Sequence, residues 1–461
     1  MVERVPKLTP RAAALSILHA LRAAGHVAYL AGGCVRDELL GLSPKDYDVA
    51  TTAPPDVVRE IFRGSRAVGE SFGVVLVRAG GQQVEVATFR TEWGYADGRR
   101  PDGITYTDAA HDALRRDFTI NGLFAEPADV SPPGIREPAK IYAPTDTLCK
   151  PQATSLKPDS PPLRIIDYVH GVRDLQQGVV RAIGKPAERF AEDHLRLLRA
   201  VRFAARLGFT IETHTAAAIR EHAPKLAAIS RERIGQELRW MFAGPRSAQA
   251  AELLQQLQLD APTLMQTHAT PELRVLAALD VPGAVSFATR LAGWGIDRLV
   301  PLSAPLAPAT ITTAQHALKG WRKALCLTNE ETQELQGTLT TLADLLRWDN
   351  LAVAPRKRVM GRAWWNGALA LLHGMHDYPG APALWQRVTA AAEELRGQGE
   401  IAPEPWITGD NLIALGAQPG PAFRRILDEA YDRQLDGRLR SRTAALTWLR
   451  ETLATPSAPR E

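Results

Sequence analysis

The first 125 residues alternate between helical patterns and short apolar runs. Residues 11–24 repeat their apolar side chains with a helical period, and the apolar run at 27–30 follows directly. Residues 74–77 and 84–89 are rich in β-branched side chains and flank Gly80 and Gly81, a pattern typical of a β-hairpin. This part of the chain is therefore predicted to be mixed α/β.

The pattern changes beyond Pro186, where long stretches rich in Ala, Leu and Arg keep a helical period and strand signals vanish. The predicted fold class is α+β, an α/β head followed by an all-helical remainder. Nine of the 33 prolines lie within 126–162, so this segment is predicted to be a surface insertion, mostly loop. Further proline-rich breaks, at 300–308 and 400–405, are expected to divide helical modules.

Composition narrows the class of protein. Hydrophobic residues make up 45% and charged residues 23%, which is ordinary for a folded chain. No apolar stretch reaches the roughly 18 residues that span a bilayer, and the start of the chain lacks a secretory pattern. The three cysteines stand far apart, so we expect a reducing, cytoplasmic protein. A net charge of +4 is compatible with a nucleic-acid partner.

Gly32 and Gly33 lie between a predicted strand and a short predicted helix that carries Arg36. Glycines let the backbone approach a ligand closely, and a helix start offers free N–H groups to an anion. The motif therefore indicates an anion cradle, although a plain tight turn has the same sequence pattern.

Two carboxylates follow in Asp46-Tyr47-Asp48. In a strand, residues two apart share a face, and two carboxylates so close together favour a hard cation such as Mg²⁺. A solvated turn is the alternative. Glu85, in an apolar strand, is predicted to be either a third carboxylate at this site or an exposed surface residue.

Arginines dominate the remaining motifs. Arg115, Arg116 and Asp117 precede an apolar run and suit phosphate and sugar contacts, or a surface charge cluster at a helix entry. Residues 191–209 form a helical pattern that Gly208 ends. At about 100° per residue its arginines share one face, with Glu192 placed to pair with one of them. They are Arg196, Arg199, Arg202 and Arg206.

This arginine face has two interpretations. Asp193 and Arg196 together could read the edge of a nucleobase, since one accepts and the other donates hydrogen bonds. A salt-bridged solvent face is the alternative. Because the helix carries few acids near its four arginines, we expect a polyanion beside it.

The ordered motifs resemble a known family. GGCVRDELLG, SPKDYDVATTAPPDVVREIF, VEVATFRTE, RRDFTINGL, IIDYVHGVRDL and EDHLRLLRAVRFAARLGF are similar to those of class II tRNA nucleotidyltransferases and bacterial poly(A) polymerases, within the DNA polymerase β-like superfamily. The resemblance implies a nucleotidyltransferase head at 1–185, a neck with nucleobase-recognition helices at 186–245, a helical body at 246–345 and a tRNA-binding helical tail at 346–461.

The same resemblance assigns roles to residues. It implies Mg²⁺ as cofactor and CTP and ATP as substrates, with a protein template that pairs with the incoming base. The metal ligands would be Asp46 and Asp48, with Glu85 as third carboxylate; the triphosphate would be held by Gly33 and Arg36; the ribose and phosphates would face Arg115, Arg116 and Asp117; the template would be Asp193 and Arg196, supported by Arg199 and Arg202.

The function that the resemblance implies is addition of CCA to the 3′ end of tRNA. An A-adding enzyme and a poly(A) polymerase remain alternatives, whereas the segment 94–108 resembles a loop associated with switching to ATP and weakens a CC-adding enzyme. Outside the family, a non-catalytic RNA-binding protein and a small-molecule nucleotidyltransferase are alternatives. The resemblance implies no membrane partner, and the oligomeric state stays open.

Overall fold

The computed structural model describes residues 7–67, 73–94, 103–128, 139–142, 162–281 and 285–454. The chain divides into two compact units. The first comprises Met1–Met241 and Glu252–His268, and the second comprises Phe242–Ala251 and Ala269–Glu461. The predicted fold class is confirmed, since one unit is built on a β-sheet and the other is helical. The finer division into head, neck, body and tail stays a prediction.

All strands of the described residues lie in the first unit. They are β1 (Ala28–Ala31), β2 (Asp48–Thr51), β3 (Arg66–Ala67), β4 (Val74–Ala79), β5 (Gln82–Thr88), β6 (Arg90–Trp93), β7 (Gly103–Tyr106), β8 (Phe124–Pro127), β9 (Ala139–Tyr142), β10 (Leu163–Ile166), β11 (Val179–Val180) and β12 (Thr210–Ile211). Eight of them form one sheet in the order β3-β4-β5-β2-β1-β8-β10-β9. Within it β2 and β5 are parallel, whereas the other neighbours are antiparallel.

Helices of the first unit precede, interrupt and follow the sheet. They are α1 (Pro10–Ala23), α2 (Gly33–Leu39), α3 (Pro55–Ile61), α4 (Ala109–Leu114), α5 (Gly171–Gln177), α6 (Pro186–Glu192), α7 (Leu195–Leu207), α8 (Thr213–His222) and α9 (Arg231–Phe242). The last residue of α9, Phe242, already belongs to the second unit, a further division falls within α10 (Ser247–Gln256), and α11 (Asp260–Leu264) belongs to the first unit.

Both faces of the sheet are covered, as the sequence pattern requires. The apolar stripe of α1, which includes Ile17 and Leu21, is fully buried and packs on β1. On the opposite face three aromatic rings meet at centroid distances of 5.7 to 6.1 Å, and they extend the core towards α4. The rings belong to Tyr29, Phe89 and Phe124. The predicted hairpin is confirmed, because Gly80 and Gly81, both at positive φ, join β4 to β5.

The second unit is all-helical in its described part. Its helices are α12 (Arg274–Ala278), α13 (Phe287–Leu299), α14 (Pro308–Ala317), α15 (Trp321–Ala324), α16 (Asn329–Leu345), α17 (Val353–Met360), α18 (Trp365–Gly374), α19 (Ala381–Gly397), α20 (Gly409–Ala414), α21 (Pro421–Leu435) and α22 (Arg442–Ala454). Buried indole rings, including Trp294 packed 5.5 Å from Trp321, fill its core. The breaks predicted at 300–308 and 400–405 fall between helices, as expected.

Some expectations need correction or lie outside the described residues. The helix predicted over 191–209 is two helices, because α6 ends at Glu192 and α7 begins at Leu195. The short strand β12 lies beyond Pro186, where no strand was expected. Most of the insertion 126–162 and part of the segment 94–108 lie outside the described residues. Of the insertion, the described residues include the end of β8 and the whole of β9. Among the described helices, none is both long and apolar enough to cross a bilayer.

Candidate active site

A cleft of about 540 Å³ opens in the first unit. It lies against one face of the sheet, at strands β1, β2 and β5. Small side chains on these strands, Ala31, Ala50 and Ala87, leave the space. The predicted site residues all line this cleft except Asp46 and Arg202. Those that line it are Gly33, Arg36, Asp48, Glu85, Arg115, Arg116, Asp117, Asp193, Arg196 and Arg199.

Strand register places two carboxylates side by side on the cleft floor. Val49 of β2 pairs with Val86 of β5 in parallel, so the preceding residues, Asp48 and Glu85, are neighbours on the same face. Ala31 of β1 pairs with Asp48 on its other side and keeps that side free of bulk. Glu85 lines the cleft although its side chain is exposed, and its role as a third carboxylate stays a prediction.

The surroundings of Asp48 disfavour the negative charge on its carboxylate. The pKa of its carboxyl rises to about 6, mainly because burial disfavours the charged form. The negative charges of Glu85 and Asp46 raise the pKa further, whereas the positive charge of Arg116 lowers it. Asp46 itself is exposed and precedes β2, which begins at Asp48. Within the described residues, no three acidic, His or Cys side chains are grouped as a metal site.

A pair of carboxylates nevertheless fits a hard cation. Asp48 and Glu85 present only oxygen ligands to the cleft, and the charge of Glu85 adds to the effect of burial in raising the pKa of Asp48. Mg²⁺ in proteins takes one or two carboxylates and completes its octahedron with water and substrate phosphate. The donor set therefore suits Mg²⁺ bound together with a phosphate-bearing ligand.

The glycine turn forms one end of the cleft. Gly32 has φ 73°, and a Cβ there would approach Nη1 of Arg116 to 2.8 Å, so the close approach requires glycine. Arg36 is buried in the following helix, where its Nε donates to Oδ1 of Asp37 at 2.8 Å. Its guanidinium also donates to the side chain of Asn121 and lies over the ring of Phe203 at 5.1 Å. Arg36 is thus held rigidly at the cleft.

Arg115 and Arg116 follow α4 and share one carboxylate. Oδ1 of Asp112 accepts from Nη2 of Arg115 at 2.7 Å, and Oδ2 accepts from Nη2 of Arg116 at 3.0 Å. Arg116 also donates to the carbonyl of Asn121 at 3.1 Å and stacks on Phe124 at 4.8 Å. The alternative of a surface charge cluster is therefore not what the structure shows, since both side chains line the cleft.

Asp117 connects this segment to α7. Its Oδ2 accepts from Nε and Nη2 of Arg199 at 2.8 and 2.6 Å, and its Oδ1 accepts from Nδ2 of Asn121 at 3.0 Å. Burial would raise the pKa of Asp117, but the charge of Arg199 and the hydrogen bond from Asn121 outweigh it and lower the pKa to about 2. Asp117 is consequently an ionised anchor for Arg199.

The break between α6 and α7 aims Asp193 at the cleft. Asp193 has an extended backbone, its Oδ1 accepts from the N–H of Leu195 at 2.9 Å, and its Oδ2 pairs with Arg233 at 2.7 Å. Arg196 pairs with Glu192, as the i,i+4 spacing predicts, and donates to the carbonyl of Arg189 at 2.9 Å. The two predicted template residues line the same cleft, each held by a separate partner.

Acids of the protein itself pair with the arginine face of α7, and the polyanion expected beside it stays a prediction. Each arginine of α7 has an acid, and three of these acids come from other segments. Arg202 pairs with Glu237 at 3.3 Å and lies 4.7 Å from the rings of both Phe203 and Trp240. Burial lowers its pKa to about 10. Arg202 supports α7 from outside the cleft lining, and Arg206 pairs with Asp37 at 2.8 Å.

Sequence reasoning missed several residues of this site. Asn121 bonds Arg36 and Asp117 through its side chain, Arg233 holds Asp193, and Arg90 lines the cleft beside Arg115. Asn121 lies within the quoted motif RRDFTINGL, whereas Arg233 lies in α9, outside the motifs quoted above. Only their spatial partners, distant in the chain, distinguish them from neighbouring polar residues.

Family models match two regions of the chain. The model described as the poly A polymerase head domain matches residues 28–133. The model described as a probable RNA and SrmB-binding site of polymerase A matches residues 208–269. The first of these regions contains the cleft glycines and carboxylates.

Full-length relatives share one description. CCA-adding enzymes of Lacticaseibacillus paracasei and Limosilactobacillus fermentum are 32% and 31% identical to the chain over 434 and 438 residues. These matches cover 93% and 92% of this chain, and 92% of each relative. The similarity therefore extends through both compact units.

Solved structures agree with this. The crystal structure of the Bacillus stearothermophilus CCA-adding enzyme in complex with CTP has a TM-score of 0.65 at 27% identity, covering 97% of this chain and 98% of that one. The Thermotoga maritima CCA-adding enzyme complexed with tRNA has a TM-score of 0.61 at 19% identity, covering 98% and 97%. At that lower identity the likeness shows the fold alone.

Proposed function

The chain belongs to the family of CCA-adding enzymes, and on that premise we propose that it adds C and A residues from CTP and ATP to the 3′ end of tRNA. The observation that carries the proposal is the cleft itself, which is lined by a carboxylate pair, several arginines, and the pair Asp193 and Arg196. The RNA 3′ hydroxyl attacks the α-phosphate of the nucleotide, and pyrophosphate leaves.

Asp48, with Asp46 and Glu85, holds Mg²⁺ in this proposal. When bound, the cation would lower the pKa of the attacking hydroxyl and stabilise charge on the leaving pyrophosphate. The carboxylates would hold the cation at the cleft floor, beside the glycine turn. Gly32 and Gly33 keep the backbone there free of side chains, so that phosphate oxygens can approach it.

The positive wall binds the nucleotide. Arg36, Arg115 and Arg116 are each held by protein acceptors, so their charges face the cleft without a large loss of side-chain entropy on binding. Asp117 fixes Arg199 in the same wall. Positioning and charge stabilisation account for the chemistry, and no side chain has to act as a nucleophile.

Asp193 and Arg196 select the base. A carboxylate oxygen accepts and a guanidinium donates, which matches the mixed donor and acceptor edges of cytosine and adenine. Arg233 and Glu192 orient the two side chains. Because both nucleotides use the same pair, their discrimination depends on small changes in the orientation of Asp193 and Arg196.

The RNA partner is the 3′ end of tRNA. Exposed arginines of the predicted tail, including Arg438, Arg440 and Arg442, offer charge to its phosphates. Recognition of a folded RNA by shape and phosphate contacts requires no base-specific groups there.

A nucleotide-incorporation assay tests the proposal. Three tRNA transcripts, ending at the discriminator base, at C and at CC, are each given ATP, CTP or both with Mg²⁺, and the products are sized on a sequencing gel. We expect three additions on the shortest transcript, ending in one A. Addition of A to the CC-ending transcript alone would make this an A-adding enzyme, and a long A ladder would make it a poly(A) polymerase.

A further inference from the structure

Two acidic residues contact arginines that line the cleft but do not line the cleft themselves. Arg90, Arg115 and Arg116 line the cleft, and we call these three side chains the arginine cluster. Asp112 and Glu92 contact members of this cluster, yet neither belongs to the cleft lining. The arrangement is therefore layered, with cations facing the cleft and acids behind them.

Asp112 of α4 is the centre of the acidic layer. It is 1% exposed, and its Oδ1 accepts from Nε and Nη2 of Arg115 at 2.9 and 2.7 Å. Its Oδ2 accepts from Nε and Nη2 of Arg116 at 3.2 and 3.0 Å. Oδ1 also accepts from the backbone N–H of Arg90 at 3.3 Å. One carboxylate thus bonds the guanidiniums of Arg115 and Arg116 and the backbone of Arg90.

Glu92 of β6 holds the other side. Its Oε1 accepts from Nη1 of Arg115 at 2.8 Å and from Nε of Arg90 at 2.9 Å. Arg115 therefore bridges α4 and β6, with one edge of its guanidinium on each acid. This bridge ties the hairpin β6–β7 to the segment that carries the arginines.

The charges explain why such a layer is needed. Three guanidiniums against one cleft wall repel one another, and repulsion alone would turn them towards solvent. Burial opposes ionisation of Asp112, but Arg116 and Arg115 together lower its pKa, so it remains charged. With two acids for three arginines the cluster keeps a net positive charge, which is what an anionic ligand in the cleft requires.

We propose that Asp112 and Glu92 are positioning residues for the nucleotide, holding the arginine cluster in the geometry that binds its phosphates and ribose. This rests on the proposed function only for the identity of the ligand. Neither acid touches the substrate. Their contribution is preorganisation, so that the guanidiniums need not be ordered when the nucleotide binds.

The variants Asp112→Asn and Glu92→Gln test this. Each keeps the size of the side chain but replaces one carboxylate oxygen with an amide NH₂ group, which cannot accept from a guanidinium. Asp56→Asn is the matched control, because Asp56 is an exposed acid in the first turn of α3 and lies outside the cleft lining. Thermal unfolding of each variant shows that it is folded.

We expect Asp112→Asn to raise KM for CTP and for ATP together by about tenfold, with a smaller change in kcat. Glu92→Gln, which loses fewer bonds, is expected to raise both KM values by about threefold. KM for tRNA stays near the wild-type value, and Asp56→Asn leaves every parameter unchanged. A loss of folded enzyme alone would lower the apparent kcat and leave KM where it was.

Calorimetric titration with CTP and ATP separates this inference from the proposed function. If the wild-type protein binds both nucleotides but does not extend tRNA, the proposed function fails, and the dissociation constants of the variants still test the positioning role. Folded Asp112→Asn and Glu92→Gln proteins with wild-type nucleotide affinity would overturn the inference, as would an equal loss of affinity in Asp56→Asn.

Discussion

Asp117 illustrates how much of the site depends on single buried contacts. Both of its oxygens are occupied, one by Arg199 and the other by Asn121 and the N–H of Phe118. The carboxylate is 7% exposed, so its charge is tolerated only because these partners replace water. Removal of the charge leaves Arg199 without its acid.

We predict that Asp117→Asn destabilises the protein by about 3 kcal/mol, the usual cost of breaking a buried ion pair. The measurement is urea unfolding followed by circular dichroism at pH 7. Asp56→Asn serves as the control, because Asp56 is exposed on α3. An unchanged unfolding midpoint in Asp117→Asn would contradict the pairing.

The same pair predicts a dependence on pH. The folded-state pKa of Asp117, about 2, lies below its ordinary value of 3.8. The stabilisation is therefore fully present above pH 3.8 and is lost as the pH falls towards 2. The difference in stability between wild type and Asp117→Asn should shrink between pH 5 and pH 2. A constant difference across this interval would argue against an ionised Asp117.

Individual residues differ in how far the sequence could identify them. Asp48 and Glu85 could be predicted because a strand shows its facing residues by alternation. Asn121 and Arg233 could not, because each matters through a partner that folding alone brings near. The pair Asp193–Arg233 spans 40 positions, and the pair Asp117–Arg199 spans 82. No local periodicity reports a contact over such distances.

The break between α6 and α7 shows the same limit for secondary structure. Every residue from Ala191 to Leu197 is compatible with a helix, so the pattern predicts one continuous element. The chain instead extends at Asp193, where the side-chain contact with Leu195 and the ion pair with Arg233 compensate the lost helical hydrogen bonds. A tertiary contact has overridden local propensity.

Arg233→Gln is predicted to relax the choice between CTP and ATP, because it frees Asp193 to rotate. Misincorporation on the CC-ending transcript should rise by about tenfold, the effect of losing one charge-assisted contact. Gel assays with each nucleotide alone measure it. Gln236→Ala, exposed on the same helix α9, should retain wild-type selectivity. Selective loss of tRNA affinity in Arg233→Gln would refute the orienting role.

Across the whole chain, the residue pattern predicted the positions of the elements better than it predicted the order of the strands in the sheet. The change from mixed α/β to helical patterns and the proline-rich breaks predicted where elements end. The order of the strands in the sheet could not be predicted from the hydrophobic pattern, because the parallel pairing of β2 with β5 requires a crossover connection. That pairing is what brings Asp48 beside Glu85.

The modest net charge of +4 predicts that tRNA binding rests on local arginines and is sensitive to salt. A protein that makes about four phosphate contacts loses about a hundredfold in affinity between 50 and 200 mM salt. Filter binding of tRNA across that range measures the slope. We expect a clear linear fall of log affinity with log salt, and a flat line would exclude phosphate contacts as the main source of affinity.

Transfer by Asp48→Asn is the most direct test of the cleft as the active site. Extension of a tRNA transcript lacking CCA is measured with CTP, ATP and Mg²⁺, beside wild type and the control Glu60→Gln, which changes an exposed acid on α3. We predict that Asp48→Asn retains the wild-type circular dichroism spectrum and thermal midpoint but loses transfer by at least about a thousandfold. A folded Asp48→Asn protein that completes CCA at the wild-type rate would contradict the assignment of catalysis to this cleft.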